Sequence, residues 1–369
     1  MIRDIPFFNY PALYAKQEDD LLPIIQNVLR RGAYIMQSDL DTFETSLARY
    51  LNVKHVIGVA DGTMALIIGL RASGIGAGDE VLVPSHTFVA TAAAVHHAGA
   101  TPVLVDCARD HLIDSADIER RINDRTRAIM PVQLNGRTAD MDKIVNIADR
   151  YNLKIIEDSA QALGSKFRNR FAGTFGSAGT CSFYPSKTLG CFGDGGAVIT
   201  NDDDVADHVK LLRDHGRSMN GEVIEWGYNS RLDNLQAAIL NYKLSNYIVE
   251  IERRREIARI YNSKLGAISN ILLPPGPDDS EDHFDIFQNY EIEVDRRDEL
   301  RNFLLSKGVR TIVQWGGRCI HQFSALGLNT DVPYTESMTK RFMLLPMNTS
   351  LEDEDVHYIC ETIISFYSH

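Results

Sequence analysis

The sequence predicts an α/β fold: a large domain over residues 1–250 on a mostly parallel mixed sheet, and a smaller C-terminal α+β domain over residues 251–369. Two observations predict it. From about Val53 to Thr200, short β-rich runs alternate with helical stretches, the pattern of a parallel sheet with helical crossovers. After a long helical stretch from Asp233 to about Leu265, the turn segment Leu272–Glu281, with Pro274, Pro275 and Pro277, opens a region that lacks this alternation. A chain of 369 residues also exceeds one ordinary core, which favours division into two.

The expected strands, in order, are His55–Ala60, Glu80–Pro84, Thr101–Asp106, Arg127–Val132, Leu153–Asp158, Gly179–Tyr184 and Gly196–Thr200. Several are apolar almost throughout, as strands covered by helices on both faces should be. Between them, Thr63–Ser73, Thr87–His97 and Met141–Tyr151 carry helical signals. In such sheets ligands bind beyond the carboxyl ends of the strands, so residues just after each run are the candidates for chemistry.

Composition narrows the function classes. The net charge of −12 lacks the basic footprint that nucleic acid needs. No apolar run is long enough to span a membrane, and Met1-Ile2-Arg3-Asp4 does not open a signal peptide, so a cytoplasmic location is expected. The cysteines, Cys107, Cys181, Cys191, Cys319 and Cys360, are odd in number and never paired as CxxC, which argues against a disulfide framework and a structural zinc site. The only tight histidine pair, His96-His97, does not share a helix face, and no metal is expected.

Three segments carry chemistry. In Ile155-Ile156-Glu157-Asp158-Ser159-Ala160-Gln161 an apolar strand ends in a carboxylate, suited either to cap a helix or to face a ligand cation such as a protonated pyridine nitrogen. In Ser182-Phe183-Tyr184-Pro185-Ser186-Lys187-Thr188-Leu189-Gly190 a lysine follows a strand on a loop constrained by Pro185 and Gly190. Most lysines are solvated surface charges, but imine chemistry needs an amine of lowered pKa, which partial enclosure supplies. In Val59-Ala60-Asp61-Gly62-Thr63 a strand ends in a tight turn that starts a helix, aiming free N–H groups at one spot, an anion site. The run Gly74-Ile75-Gly76-Ala77-Gly78 precedes a strand instead of following one and reads as a turn, not a dinucleotide fingerprint.

In this order, and together with Val83-Pro84-Ser85-His86-Thr87-Phe88, Gly193-Asp194-Gly195-Gly196, Gly227-Tyr228-Asn229-Ser230-Arg231-Leu232-Asp233 and Gln236-Ala237-Ala238-Ile239, these segments resemble the DegT/StrS-type nucleotide-sugar aminotransferases. The resemblance runs from about Gly32 to the C-terminus. It implies pyridoxal 5'-phosphate (PLP) as cofactor and PLP fold type I, the aspartate-aminotransferase-like fold. By that resemblance Lys187 joins the cofactor covalently and shuttles protons, Asp158 pairs with the ring nitrogen, and Gln161 bonds the ring hydroxyl. Phe88 stacks on the ring, Gly62, Thr63 and Ser182 hold the phosphate, and Asn229 reaches in from the second subunit of a homodimer. Six positions depart from the family's common forms: Asp61 beside the phosphate turn, Ser230 where an aromatic is common, and Gln133 and Asn135-Gly136-Arg137 in one loop.

The resemblance also implies L-glutamate as amino donor and a nucleotide-linked keto sugar as acceptor. The segment Thr311–His321 looks more like C-4 aminotransferases of dTDP-4-keto-6-deoxyglucose than like the His-Tyr-Pro forms of C-3 enzymes, with Trp315 against sugar or base and Arg318 and His321 toward the diphosphate. A Gly-Gly turn with a core tryptophan is the plainer reading of the same residues. Alternatives are C-3 amination, a GDP- or UDP-linked 4-keto sugar, a PLP-dependent sugar dehydratase, which Lys187 argues against because a histidine replaces the lysine there, and a non-catalytic PLP-binding regulator.

Overall fold

The fold is described from a computed structural model of the chain, which describes residues 3–368. Three helices, α1 (Tyr10–Ala15), α2 (Glu18–Arg31) and α3 (Ser38–Leu51), precede the first strand. The chain then alternates as the apolar runs predict: β1 (His55–Val59), α4 (Gly62–Ala72), β2 (Glu80–Pro84), α5 (Val89–His97), β3 (Thr101–Val105), α6 (Ser115–Arg121), β4 (Thr126–Ile129), α7 (Met141–Tyr151) and β5 (Lys154–Asp158). A short hairpin, β6 (Lys166–Phe167) and β7 (Arg170–Phe171), interrupts before β8 (Ala178–Ser182), β9 (Gly196–Thr200) and α8 (Asp203–Arg213).

The large sheet has the order β1-β9-β8-β5-β4-β2-β3, and β9 alone runs against the others, so the sheet is mixed but mostly parallel. Its strands are buried nearly end to end because both faces are covered. One face packs under α4, α5 and α8 through Ile57, Leu66, Ile68, Val95 and Val209. The other packs under α3 and the later helix α9 (Asn234–Ser245) through Phe43, Leu47, Phe183 and Leu240.

The helical stretch expected over Asp233–Leu265 is two helices, α9 and α10 (Tyr247–Leu265). They part at Asn246, whose φ of −111° and ψ of 12° lie outside helical geometry. Packing changes along α10: Tyr247 and Ile251 lie in the core beneath the large sheet, while Ile257, Tyr261 and Leu265 enter a second core. That second core is built on β10 (Ile271–Leu272), β12 (Tyr290–Val294) and β13 (Phe342–Leu345), backed by α11 (Arg297–Ser306) and α13 (Asp353–Tyr367), and it also takes Ile5 from the start of the chain. Between them lie β11 (His283–Phe284), which joins the β6–β7 hairpin, and the short α12 (Pro333–Met338).

Candidate active site

The carboxyl ends of β1, β2, β5 and β8 bring the sequence-predicted residues to one edge of the sheet. Asp158 closes β5, is 5% exposed, and accepts hydrogen bonds from Thr91 Oγ1 at 2.8 Å and from the Ala160 N–H at 3.2 Å. Burial pushes its carboxyl pKa up, against the pull of those bonds and of the positive charge on Lys187. Lys187 lies on the loop after β8. Burial lowers its amine to about 8, with Asp158 pulling the other way, so the two groups act on each other across the site.

The loop that carries Lys187 is stiff. The Lys187 N–H donates to the Tyr184 carbonyl at 2.8 Å, and Gln288 clamps the next turn, accepting from the Thr188 N–H and hydroxyl while donating to the Ser186 carbonyl. A Cβ at position 190 would stand 2.8 Å from the Pro185 carbonyl oxygen and 2.9 Å from that of Tyr184, so the loop closes only over glycine.

At the end of β1, Asp61 caps α4 by accepting from the Met64 N–H at 2.9 Å, so its carboxylate is spent on the helix it precedes. Gly62 and Thr63 open that helix, and a Cβ on Gly62 would meet Ser182 Cβ at 2.8 Å, which brings the first-turn N–H groups beside the Ser182 hydroxyl. Phe88 stands at the start of α5 with its ring half exposed, one turn from Thr91. The other unusual positions are also accounted for locally. Buried Ser230 accepts from the Ala60 N–H at 3.2 Å, and Gln133 donates to Glu157 at 2.8 Å. Asn229 lies exposed at the end of the 215–228 excursion, its backbone paired with Asp214.

The three candidates in the small domain do not converge. Trp315 sits in a turn with a left-handed φ of 52° and packs edge-on against His86, ring centroids 5.1 Å apart. Arg318 is exposed, donates to the Gln322 carbonyl and lies over the Phe323 ring. His321 has both ring nitrogens engaged, by Ser85 Oγ and Glu336 at 2.7 Å each. A cavity of about 650 Å³ opens beside Lys187, with Tyr10, Tyr247, Arg254, Asn289 and Asn348 in its walls.

Two features escaped the sequence. The first is Thr91 on α5, whose hydroxyl lies 2.9 Å from that of Thr87, two residues before the helix begins. The second is a buried knot in which His86 and His111 converge on Glu291 Oε1 at 3.0 and 2.7 Å, while His111 Nε2 meets Glu293 at 3.0 Å. The ligand-type atoms of His86, His111 and Glu291 lie within 4.8 Å of one another, and these side chains, with Glu293, satisfy each other's hydrogen bonds. Burial works against a charge on His111, but its bonds to Glu291 and Glu293 outweigh that and push its pKa up to about 9.

The donor set fits PLP. A buried carboxylate suits the ring nitrogen, a lysine of lowered pKa suits the aldehyde, and a helix start beside a serine suits the phosphate. The fold and this donor set are those of a PLP enzyme of fold type I. Residues 16–364 match the DegT/DnrJ/EryC1/StrS aminotransferase family. Among relatives, a pleiotropic regulatory protein from Geobacillus stearothermophilus is 37% identical over 99% of both chains. A dTDP-3-amino-3,4,6-trideoxy-alpha-D-glucose transaminase from Streptomyces venezuelae is 38% identical over 94% of this chain and 92% of its own. The crystal structure of S. venezuelae DesV in complex with a ketimine intermediate superposes with a TM-score of 0.95 at 36% identity, covering 99% of each chain. The chain belongs to the DegT/DnrJ/EryC1/StrS family and is a PLP-dependent sugar-nucleotide aminotransferase.

Proposed function

We propose that the enzyme moves an amino group from L-glutamate to dTDP-4-keto-6-deoxyglucose, giving dTDP-4-amino-4,6-dideoxyglucose, as a cytoplasmic homodimer. The observation that carries the chemistry is the mutual influence of the Asp158 carboxylate, at the end of β5, and the Lys187 amine, on the loop that follows the neighbouring strand β8. When bound, PLP supplies an aldehyde carbon that amines join and a ring that stores an electron pair. Lys187 holds it through Nζ and, once displaced, uses the same nitrogen to take a proton from the donor's α-carbon and return it on the far side of the exchange. The lowered amine pKa keeps a usable neutral fraction near neutral pH. Asp158 keeps the ring nitrogen charged, with Thr91 fixing one carboxylate oxygen. Gln161 donates to the ring hydroxyl, Phe88 covers a ring face, and Gly62, Thr63 and Ser182 hold the phosphate. Asn229 reaches the phosphate of a second copy, and the apolar side chains exposed just before it, Met219, Val223, Ile224 and Trp226, support burial against that copy.

Trp315, packed on His86, and Arg318, bonded to the Gln322 carbonyl, would have to turn to meet the sugar acceptor, and His321 is held beside Ser85. The C-4 assignment rests on the likeness of the Trp315-Gly316-Gly317-Arg318 segment to C-4 enzymes. A second reading, C-3 amination, is favoured by the name of the Streptomyces venezuelae relative. Incubation with dTDP-, UDP- and GDP-linked keto sugars plus glutamate, followed by NMR of the product, separates them. An amine at C-4 of a dTDP sugar is expected. An amine at C-3 gives the second reading, and no turnover of any dTDP sugar overturns the first. Release of 2-oxoglutarate excludes a purely regulatory role.

A further inference from the structure

We infer that Asn289 and Asn135 are positioning residues which lock the Gln161 amide with its N–H groups turned toward the PLP ring hydroxyl. The inference rests on the role proposed above for Gln161. Gln161 Oε1 accepts the backbone N–H of Asn135 at 2.9 Å and Asn289 Nδ2 at 3.3 Å. A backbone N–H can only donate, so the carbonyl end of the amide must face Asn135, and Nε2 must face away from it. Among the described residues no group accepts from Nε2, which leaves its protons for a ligand.

The brace is itself held from several directions. Asn289 Nδ2 also donates to Asn135 Oδ1 at 2.9 Å, and Gln314 Nε2 donates to the same oxygen at 2.8 Å. Asn135 Nδ2 is anchored on Glu291 Oε1 at 3.1 Å, within the His86–His111 knot. Asn135 takes a left-handed φ of 56°, which asparagine tolerates. The following Gly136, at φ 96°, lies so close to the next strand's approach that a Cβ would sit 2.6 Å from the backbone nitrogens of Phe287 and Gln288. The Ile286 N–H donates to the Gly136 carbonyl at 2.8 Å. Backbone packs on backbone here, so the small domain's chain entering β12 sets the orientation of a large-domain amide. Asn135 and Glu291 belong to this chain's unusual loop and knot, and the geometry gives both one purpose.

The test is a pH titration of the visible absorption of the lysine-bound cofactor in the holoenzyme. A donor on the ring oxygen stabilises negative charge there, and that charge is most exposed once the proton on the lysine nitrogen has left. Losing the donor therefore holds that proton to higher pH. Gln161→Ala is expected to raise the titration midpoint by about 0.5–1 pH unit, the worth of one hydrogen bond. Asn289→Ala is expected to raise it in the same direction by a smaller amount, and the double variant is expected to move no further than Gln161→Ala alone. Asn289→Ser takes the place of the alanine variant should the latter fail to retain cofactor. A wild-type midpoint in the Asn289 variant while Gln161→Ala shifts, or shifts that add in the double variant, overturns the inference alone. An unmoved midpoint in Gln161→Ala removes the assignment of Gln161 and the inference with it.

Discussion

At the scale of single residues, the site depends on pairs whose partners are fixed by short bonds. Thr91 is the least conspicuous of them: its hydroxyl donates to Asp158 Oδ2 at 2.8 Å and lies 2.9 Å from the Thr87 hydroxyl. Thr91→Val keeps the shape and removes the donor, leaving a buried carboxylate oxygen short of a partner. We predict a fall in kcat/KM of about tenfold or more with a weaker hold on PLP, because bonds to charged groups contribute about 1.5–3 kcal/mol. Unchanged steady-state kinetics would show that Asp158 needs no help from α5. Asp158, Lys187 and the Gly62-Thr63 turn were legible because chemistry-bearing residues stood directly after apolar strand runs. Thr91 was not, because a hydroxyl inside a helix gives no sign of which way it bonds.

At the scale of elements, the strands were legible for a physical reason. A strand buried on both faces must be apolar along its length, and the observed bounds depart from the apolar runs only at their ends. The break at Asn246 was not legible, since Leu244-Ser245-Asn246-Tyr247 contains neither proline nor glycine. The tie between domains was hidden too: His86, His111 and Glu291 come from loops and a strand far apart in sequence. That tie carries a pH signature. The pKa of His111 is about 9 in the folded protein against 6.5 as the ordinary value, with Glu291, Glu293 and His86 around it and Tyr334 and Arg341 facing Glu293. A raised pKa means the contribution is full below the ordinary value and is lost as pH rises through the folded one. The unfolding midpoint of the wild type should therefore fall between about pH 7 and pH 9.5 more steeply than that of His111→Gln, which should be the less stable protein at about pH 6. Parallel curves for the two proteins would mean that His111 is not charged in the fold.

At the scale of the whole molecule, the segment before Asn229 is the surface that most needs a partner. Met219 and Trp226 are 105% and 89% exposed, with Val223 and Ile224 beside them. Such an exposed apolar cluster supports the homodimer proposed above. Trp226→Glu should shift the sedimentation of the purified enzyme from dimer toward monomer and weaken PLP retention, if Asn229 serves the neighbouring site. A variant that still sediments as a dimer with full cofactor would place the interface elsewhere. The claim on which every role above depends is that Lys187 is the residue bonded to PLP, and peptide mass spectrometry after borohydride reduction of the holoenzyme tests it most directly. The account predicts a reduced pyridoxyl-phosphate mass on the peptide containing Lys187 and no such label in Lys187→Ala. A label on another lysine, or the same label persisting in Lys187→Ala, would contradict it.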